Sequence, residues 1–182
     1  MPTRVACIDV VKVYNDYERQ LALTKEMAVI DEQLKTENAA RLKRVESAQQ
    51  DLATRDPKDP TFRDKQEELL KLQVAYKNWS DLMQGYVRRE LSMWTGRMYQ
   101  EIMDVTAQIA KDRGYDLVLY YDGPFQELPD NPDAVREQIR NRKTLYVAPQ
   151  IDLTTPVLEQ LNAKYHAAPP GKMLQINPAA TP

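Results

Sequence analysis

Apolar residues in the first third of the chain recur at helical spacing. A short β-branched stretch, RVACIDV at residues 4–10, is typical of a strand, and from Val10 onward apolar positions repeat every three or four residues. No Gly or Pro interrupts residues 3–56. Pro57 then ends the pattern, because proline lacks the backbone donor and pushes the preceding residue out of the helical region. The pattern predicts a strand followed by one helix over about 10–55.

A second helical pattern begins directly after this break. Asp59 is suited to cap a helix, and Pro60 fits its first position. Apolar residues then alternate at spacings of three and four, as in a coiled-coil seam: Leu69, Leu72, Tyr76, Trp79, Met83 and Tyr86. The pattern continues to Gly114, a natural helix stop. Two helices of similar length, joined at Pro57 and Pro60, predict an antiparallel hairpin in which each apolar face covers the other.

The remaining sequence predicts two further strands and two short helices. The strands are YDLVLYYDG (115–123), with a turn at 122–124, and TLYVAP (144–149). Between these strands, Asn131 and Pro132 are suited to begin a short helix. After the second strand, Thr155 and Pro156 are suited to begin a last helix, which extends to about residue 165. The Pro- and Ala-rich tail, 167–182, is predicted to be disordered.

These elements predict an α+β fold with a small β body formed from both chain ends. The body takes residues 4–14 and 114–165, and the hairpin arm, 15–113 with its tip at about 56–60, is inserted between the first and second strands. A sheet of so few strands buries little surface and has open edges. We therefore expect the chain to form oligomers.

Composition and charge exclude several functional classes. With 25 Lys and Arg against 27 Asp and Glu, the net charge of -2 gives no basic field for nucleic acid. No apolar run approaches the roughly 18 residues of a membrane span. His166 is the single histidine and Cys7 the single cysteine, so metal-ligand spacing and a nucleophile–base pair are both missing, as is a glycine-rich phosphate loop. We expect no catalysis, no metal or cofactor, no nucleic-acid partner and no stable membrane insertion.

Methionine and aromatic side chains on the arm are the candidate contacts for a protein partner. Methionine is flexible and polarizable, and aromatic rings add large apolar faces, so both suit surfaces that accept many shapes. The candidate binding residues are Met83, Tyr86, Met93, Trp94, Met98 and Tyr99. Burial in the hairpin seam is the alternative for the first two, whereas the last four cover too wide an arc for one seam.

Charge and glycine positions on the arm refine this expectation. Residues 15–113 carry 17 basic and 18 acidic side chains, so charge attraction is not expected to be the main contribution to partner binding.

Gly85 and Gly96 lie inside the second helix, where each costs about 1 kcal/mol relative to Ala. Close packing at these glycines and a bend that lets the arm flex are the two interpretations.

The order of these segments resembles the Skp (OmpH-like) family of periplasmic chaperones. The resemblance covers residues 4–165 and is most specific at the end, where DLT (152–154) leads into VLEQLN (157–162). It implies a homotrimer whose sheets form a central body and whose arms enclose a cavity. That cavity would hold unfolded outer-membrane or other envelope proteins without ATP. It also implies a periplasmic location, with a signal peptide that is absent from this chain and expected to have been removed.

Two departures from the family pattern leave other functions open. Well-studied members are strongly basic, whereas this chain is slightly acidic, and the 124–143 connection is longer than expected. No lipopolysaccharide site is carried over, because its basic residues have no match here. The alternatives are an oligomeric coiled-coil structural or adaptor protein with one defined partner, and a prefoldin-like cytosolic holdase.

Overall fold

The computed structural model describes residues 2–123 and 130–180 and is mostly helical. The chain divides into two compact units, Met1–Leu23 with Trp94–Gly171, and Thr24–Met93 with Lys172–Pro182. We call them the body unit and the arm unit. The elements in chain order are β1 (Val5–Ile8), α1 (Val10–Asp16), α2 (Glu18–Thr54), α3 (Phe62–Asp112), β2 (Leu117–Tyr120), α4 (Pro132–Asn141), a short 3-10 helix (Pro149–Ile151) and α5 (Thr154–Ala167).

The body unit contains a two-stranded parallel sheet. β1 pairs with β2 in a register that places Val5 opposite Leu117 and Ile8 opposite Tyr120. Parallel strands need a long crossover connection rather than a tight turn. Here that connection consists of α1, α2 and α3. The small sheet near the chain ends, with the long helices inserted between its strands, is thus confirmed.

The third predicted strand, residues 144–149, is not among the strands of the described residues. Leu145 and Tyr146 are 91% and 79% exposed. A later segment approaches β1 instead: Cys7 forms a parallel bridge with Asp152, and its carbonyl accepts a hydrogen bond from the Leu153 N–H at 2.8 Å. The prediction of this strand was wrong, because residues 152–153 already lie beside β1.

Helix α5 contacts α1 and begins differently from the prediction. The Asp152 carboxylate accepts hydrogen bonds from the backbone N–H and the hydroxyl of Thr154 at 2.9 and 2.6 Å, so the helix begins at Thr154 and not after a Thr155 cap. The same Thr154 hydroxyl accepts the Asp9 N–H at 2.9 Å, which ties α5 to the end of β1. The core of this unit includes Ala6, Ile8, Val13, Tyr17, Leu153, Val157 and Leu161.

The predicted helix over 10–55 is interrupted at Tyr17. This residue is extended, with φ -65° and ψ 122°, and its side chain is buried. The N–H of Glu18, at the start of α2, donates to the side chain of Asn162 on α5 at 3.1 Å. The Tyr17 hydroxyl donates to the Glu101 carboxylate on α3 at 3.0 Å. Contacts with distant parts of the body unit therefore fix a break that no local Gly or Pro marks.

The ends of α3 and α4 follow the sequence signals. α3 stops at Gly114, which adopts φ 69°, and the Tyr115 N–H donates to the Ala110 carbonyl at 2.8 Å in the manner of a helix C-cap. α4 begins with Asn131, whose side chain accepts the Asp133 N–H at 2.9 Å. The predicted turn at 122–124 and the start of the 124–143 connection lie partly outside the described residues.

The arm unit is an antiparallel pair of helices, formed by the parts of α2 and α3 on either side of the tip. α2 ends at Thr54 and α3 begins at Phe62, so the reversal falls at the predicted Pro57 and Pro60. The helices contact each other through a hydrogen bond from the Tyr76 hydroxyl to the Asn38 side chain at 3.0 Å. The apolar residues buried on the two helices of this unit are Ile30, Val45, Leu69, Trp79 and Met83.

The end of the chain differs from the expected disordered tail. Residues 172–180 contain no helix or strand, yet Met173, Leu174, Ile176 and Pro178 are buried in the arm unit. Apolar side chains at these positions remove surface from water, and this burial offsets the entropy of ordering a Pro- and Ala-rich segment.

Candidate binding surface

The arm unit already holds a peptide segment, its own tail. The backbone N–H of Met173 donates to the Glu26 carboxylate at 2.9 Å, and the next N–H, that of Leu174, donates to the same carboxylate at 3.0 Å. Further along, the indole N–H of Trp79 donates to the Pro178 carbonyl at 2.9 Å. The tail therefore contacts both helices of the arm unit, and its polar contacts to them use its backbone.

Two grooves flank the contact region. One lies between α2 and the tail, beside Asn177, Pro178 and Ala179, and is lined on the helix by Ala28, Val29, Glu32, Gln33, Thr36 and Glu37. The other lies between α2 and α3, where its apolar lining comes from Leu34, Met83, Val87 and Leu91. At 100° per residue, Val29 and Leu34 point to different sides of α2. The arm unit thus offers apolar surface on more than one side.

The six candidate binding residues are divided between buried and exposed positions. Met83, Trp94 and Met98 are buried and contribute to packing within their own units. Tyr86 and Met93 in the arm unit are 43% and 51% exposed. Tyr99 in the body unit is 50% exposed, as is Met103 one helical turn further on. Half of the candidates are therefore accessible to a partner without any local opening.

The tail residues were not among the predicted site residues. Their signal was the alternation of apolar and polar residues in MLQINP (173–178), which is the period of an extended segment with one apolar face. The composition of the surrounding stretch concealed it, because Pro and Ala are typical of disordered chains.

Ion pairs on the arm unit lie mostly within a single helix. Arg41 pairs with Glu37 at 2.7 Å, and Lys71 pairs with Glu67 at 2.6 Å. Arg55, near the tip, forms a two-pronged contact with Asp51 at 2.9 and 3.0 Å. Pairs at such spacings compensate each other locally, and exposed pairs contribute little to stability. The surface of the arm therefore combines apolar side chains with acidic and basic side chains that pair with each other.

The described residues contain no cluster of His, Cys, Asp and Glu that could hold a metal ion. The imidazole of His166 lies 2.9 Å from the Glu18 carboxylate, which is a surface contact within the body unit. Across residues 2–123 and 130–180, no helix is long and apolar enough to cross a bilayer.

The outer side of the body unit exposes large apolar residues. Leu117, Leu119 and Tyr120 of β2 are close to half exposed, and the Tyr120 hydroxyl hydrogen-bonds to Asp122. Leu145 and Tyr146 add to this exposed apolar surface. Exposed apolar side chains of this kind are available for contact with another molecule.

Comparison with known proteins gives one result. The profile of a protein family described as "Outer membrane protein (OmpH-like)" matches residues 4–161. No curated protein matches the chain.

Proposed function

Because the chain belongs to the OmpH-like (Skp) family of periplasmic chaperones, which are not enzymes, we propose that it acts as an ATP-independent holdase. Its clients would be unfolded outer-membrane and other envelope proteins. The family match over residues 4–161 is the observation that carries the proposal. The apolar surface of the arm, with locally compensated charges, is consistent with it.

We propose that clients are held by apolar contact spread over the arm. Tyr86, Met93 and Tyr99 are the accessible candidates, and the exposed Met103 joins them. The buried candidates, Met83, Trp94 and Met98, would take part only after local opening. Many weak apolar contacts suit a chaperone, because unfolded clients differ in sequence and share only their exposed apolar side chains.

A homotrimer is part of the proposal, and the exposed apolar residues of the body unit support it. The outer edge of β2 has no partner strand among the described residues, and open edges favour pairing with another chain. Leu145 and Tyr146 are 91% and 79% exposed, so they are available for contact with a neighbouring copy. Light scattering of the purified protein at micromolar concentration should then give the mass of a trimer, and a monomeric mass would contradict this model.

The holdase activity is tested by suppression of aggregation. Several unrelated β-barrel proteins are diluted from urea into buffer without nucleotide, with and without the chaperone, and turbidity is followed. We expect protection of most of these clients at a ratio near one trimer per client. Protection of none, or of a single one, would instead favour the alternative of a coiled-coil structural or adaptor protein with one defined partner.

A further inference from the structure

Residues 172–180 lie on the arm unit as an irregular segment with alternating burial. From Leu174 onward, Leu174, Ile176 and Pro178 are buried, whereas Gln175 and Asn177 are exposed. A period of two is that of an extended chain, in which successive side chains point to opposite sides. The arm unit therefore already accommodates a segment whose buried apolar side chains alternate with exposed polar ones from Leu174 to Pro178.

Three hydrogen bonds between the helices and this segment use its backbone. Glu26 accepts two consecutive backbone N–H groups, and Trp79 donates to a backbone carbonyl. Every peptide has backbone N–H and C=O groups, so these contacts select a local backbone geometry and not a sequence of side chains. Selection comes from the burial of alternate side chains, which favours apolar residues at every second position.

We propose that the strip of the arm unit beneath residues 172–180, which we call the tail strip, is a peptide-binding site. Its ligands are peptide segments that alternate apolar and polar residues, and the tail is its displaceable occupant. Strands of outer-membrane β-barrels have this alternation, because one side of each strand faces lipid and the other faces the lumen. The inference rests on the proposed function for the identity of the client, while the site itself rests on the contacts of the tail.

Because the tail is tethered beside the tail strip, a client segment must compete with it to bind. A segment linked to its site by a short chain competes at an effective concentration of about millimolar. The apparent affinity for a client segment is then reduced by the fraction of time that the strip is open. A short apolar stretch in a folded protein would be rejected, whereas an unfolded barrel with many such segments would displace the tail.

The test uses the full chain with a weakened tail. Leu174→Ser combined with Ile176→Ser removes two buried apolar side chains from the occupant and leaves the strip intact. The matched control is Gln175→Ser combined with Ala179→Ser, which changes two exposed positions of the same segment. The probe is a fluorescein-labelled peptide with the sequence KMLQINPAA, and its binding is followed by fluorescence anisotropy.

We expect the peptide to bind the weakened-tail variant about tenfold or more tightly than it binds the wild type, because the internal competitor is lost. The control should match the wild type, and a scrambled peptide with contiguous apolar residues should bind the weakened-tail variant more weakly. Equal affinity for all three proteins, or equal binding of the scrambled peptide, would overturn the proposal.

A second variant tests the strip itself. Glu26→Gln, added to the weakened-tail chain, removes the charge that accepts two N–H groups and should lower peptide affinity several-fold. Unchanged affinity would show that the peptide binds elsewhere.

Turbidity assays on the same proteins separate the two proposals. Tighter peptide binding by the weakened-tail variant without any protection of clients refutes the holdase function. Protection of clients without this tighter binding refutes the tail strip.

Discussion

Replacing Gly85 by alanine is expected to raise the free energy of unfolding. Gly85 lies inside α3, and a Cβ added to it would have no atom within 4 Å, so the methyl group fits without any shift. Among the described residues there is therefore no close packing that requires this glycine. A glycine inside a helix is less stable than alanine by about 0.5–1 kcal/mol, since its unfolded state has more conformational freedom. The expected gain per chain is of this size.

Gly114→Ala is the matched control, with the same chemical change and the opposite expected sign. Gly114 has φ +69°, and an added Cβ would lie 2.9 Å from an Nη atom of Arg4. The left-handed conformation costs a non-glycine residue about 1–2 kcal/mol. A loss at Gly114 together with a gain at Gly85 would show that local backbone geometry, and not the added methyl group, determines the effect.

Urea unfolding followed by circular dichroism measures both variants at one fixed protein concentration, because the stability of an oligomer depends on concentration. With a slope of about 2 kcal/mol per molar urea, Gly85→Ala should move the midpoint up by roughly 0.2–0.5 M. A lower midpoint with an unchanged slope would refute the reasoning and indicate a contact with another chain. A raised midpoint combined with weaker holdase activity would instead support a functional bend at this glycine.

Three further predictions follow from the charges and exposed residues of the chain. Raising salt from 50 to 500 mM should change client affinity less than about threefold, because screening weakens Coulomb attraction and leaves apolar burial intact. A much larger loss of affinity, measured by anisotropy, would indicate that clients bind mainly through charges. Tyr86→Ser with Met93→Ser should reduce protection of clients several-fold at unchanged helicity, and equal protection would remove these residues from the binding surface. Burial raises the pKa of Asp152, but hydrogen bonds from Thr154 and Tyr121 outweigh it and hold the pKa below the ordinary 3.8. The ionised Asp152 therefore stabilises the fold above pH 3.8, and this stabilisation is lost as the pH falls through the folded-state pKa. In thermal melts between pH 2.5 and 6, the melting temperature of Asp152→Asn should depend less on pH than that of the wild type.

Local signals determined the parts of the fold that sequence reasoning predicted. Pro57 cannot continue a helix and Pro60 is tolerated only near a helix start, so the reversal between α2 and α3 was visible in the sequence. Gly114 acts through its own backbone, and the Asn131-Pro132 pair acts through a local side-chain cap and the fixed φ of proline. Such features need no partner from another part of the chain, and for that reason they could be predicted.

The features that were missed depend on distant partners. The break at Tyr17 is fixed by Asn162 and Glu101, neither of which is near in sequence. The strand-like 144–149 stretch lies outside the sheet, because residues 152–153 approach β1 in its place. Which candidate binding residues are exposed also depends on packing, because spacing alone does not distinguish Met93 from its buried neighbour Trp94.

The parallel pairing of β1 with β2 has a consequence for how the protein folds. The Arg4 N–H donates to the Asp116 carboxylate at 2.8 Å across a separation of 112 residues. A disordered chain of that length closes slowly, since contacts between distant residues cost loop entropy before they stabilise anything. Helices form within about a microsecond from local contacts, and a chain that folds back at Pro57 returns its far end to its near end. We therefore expect the hairpin to shorten the search of β1 for its partner strand, so that the segment proposed to hold unfolded proteins would also guide the chain's own folding.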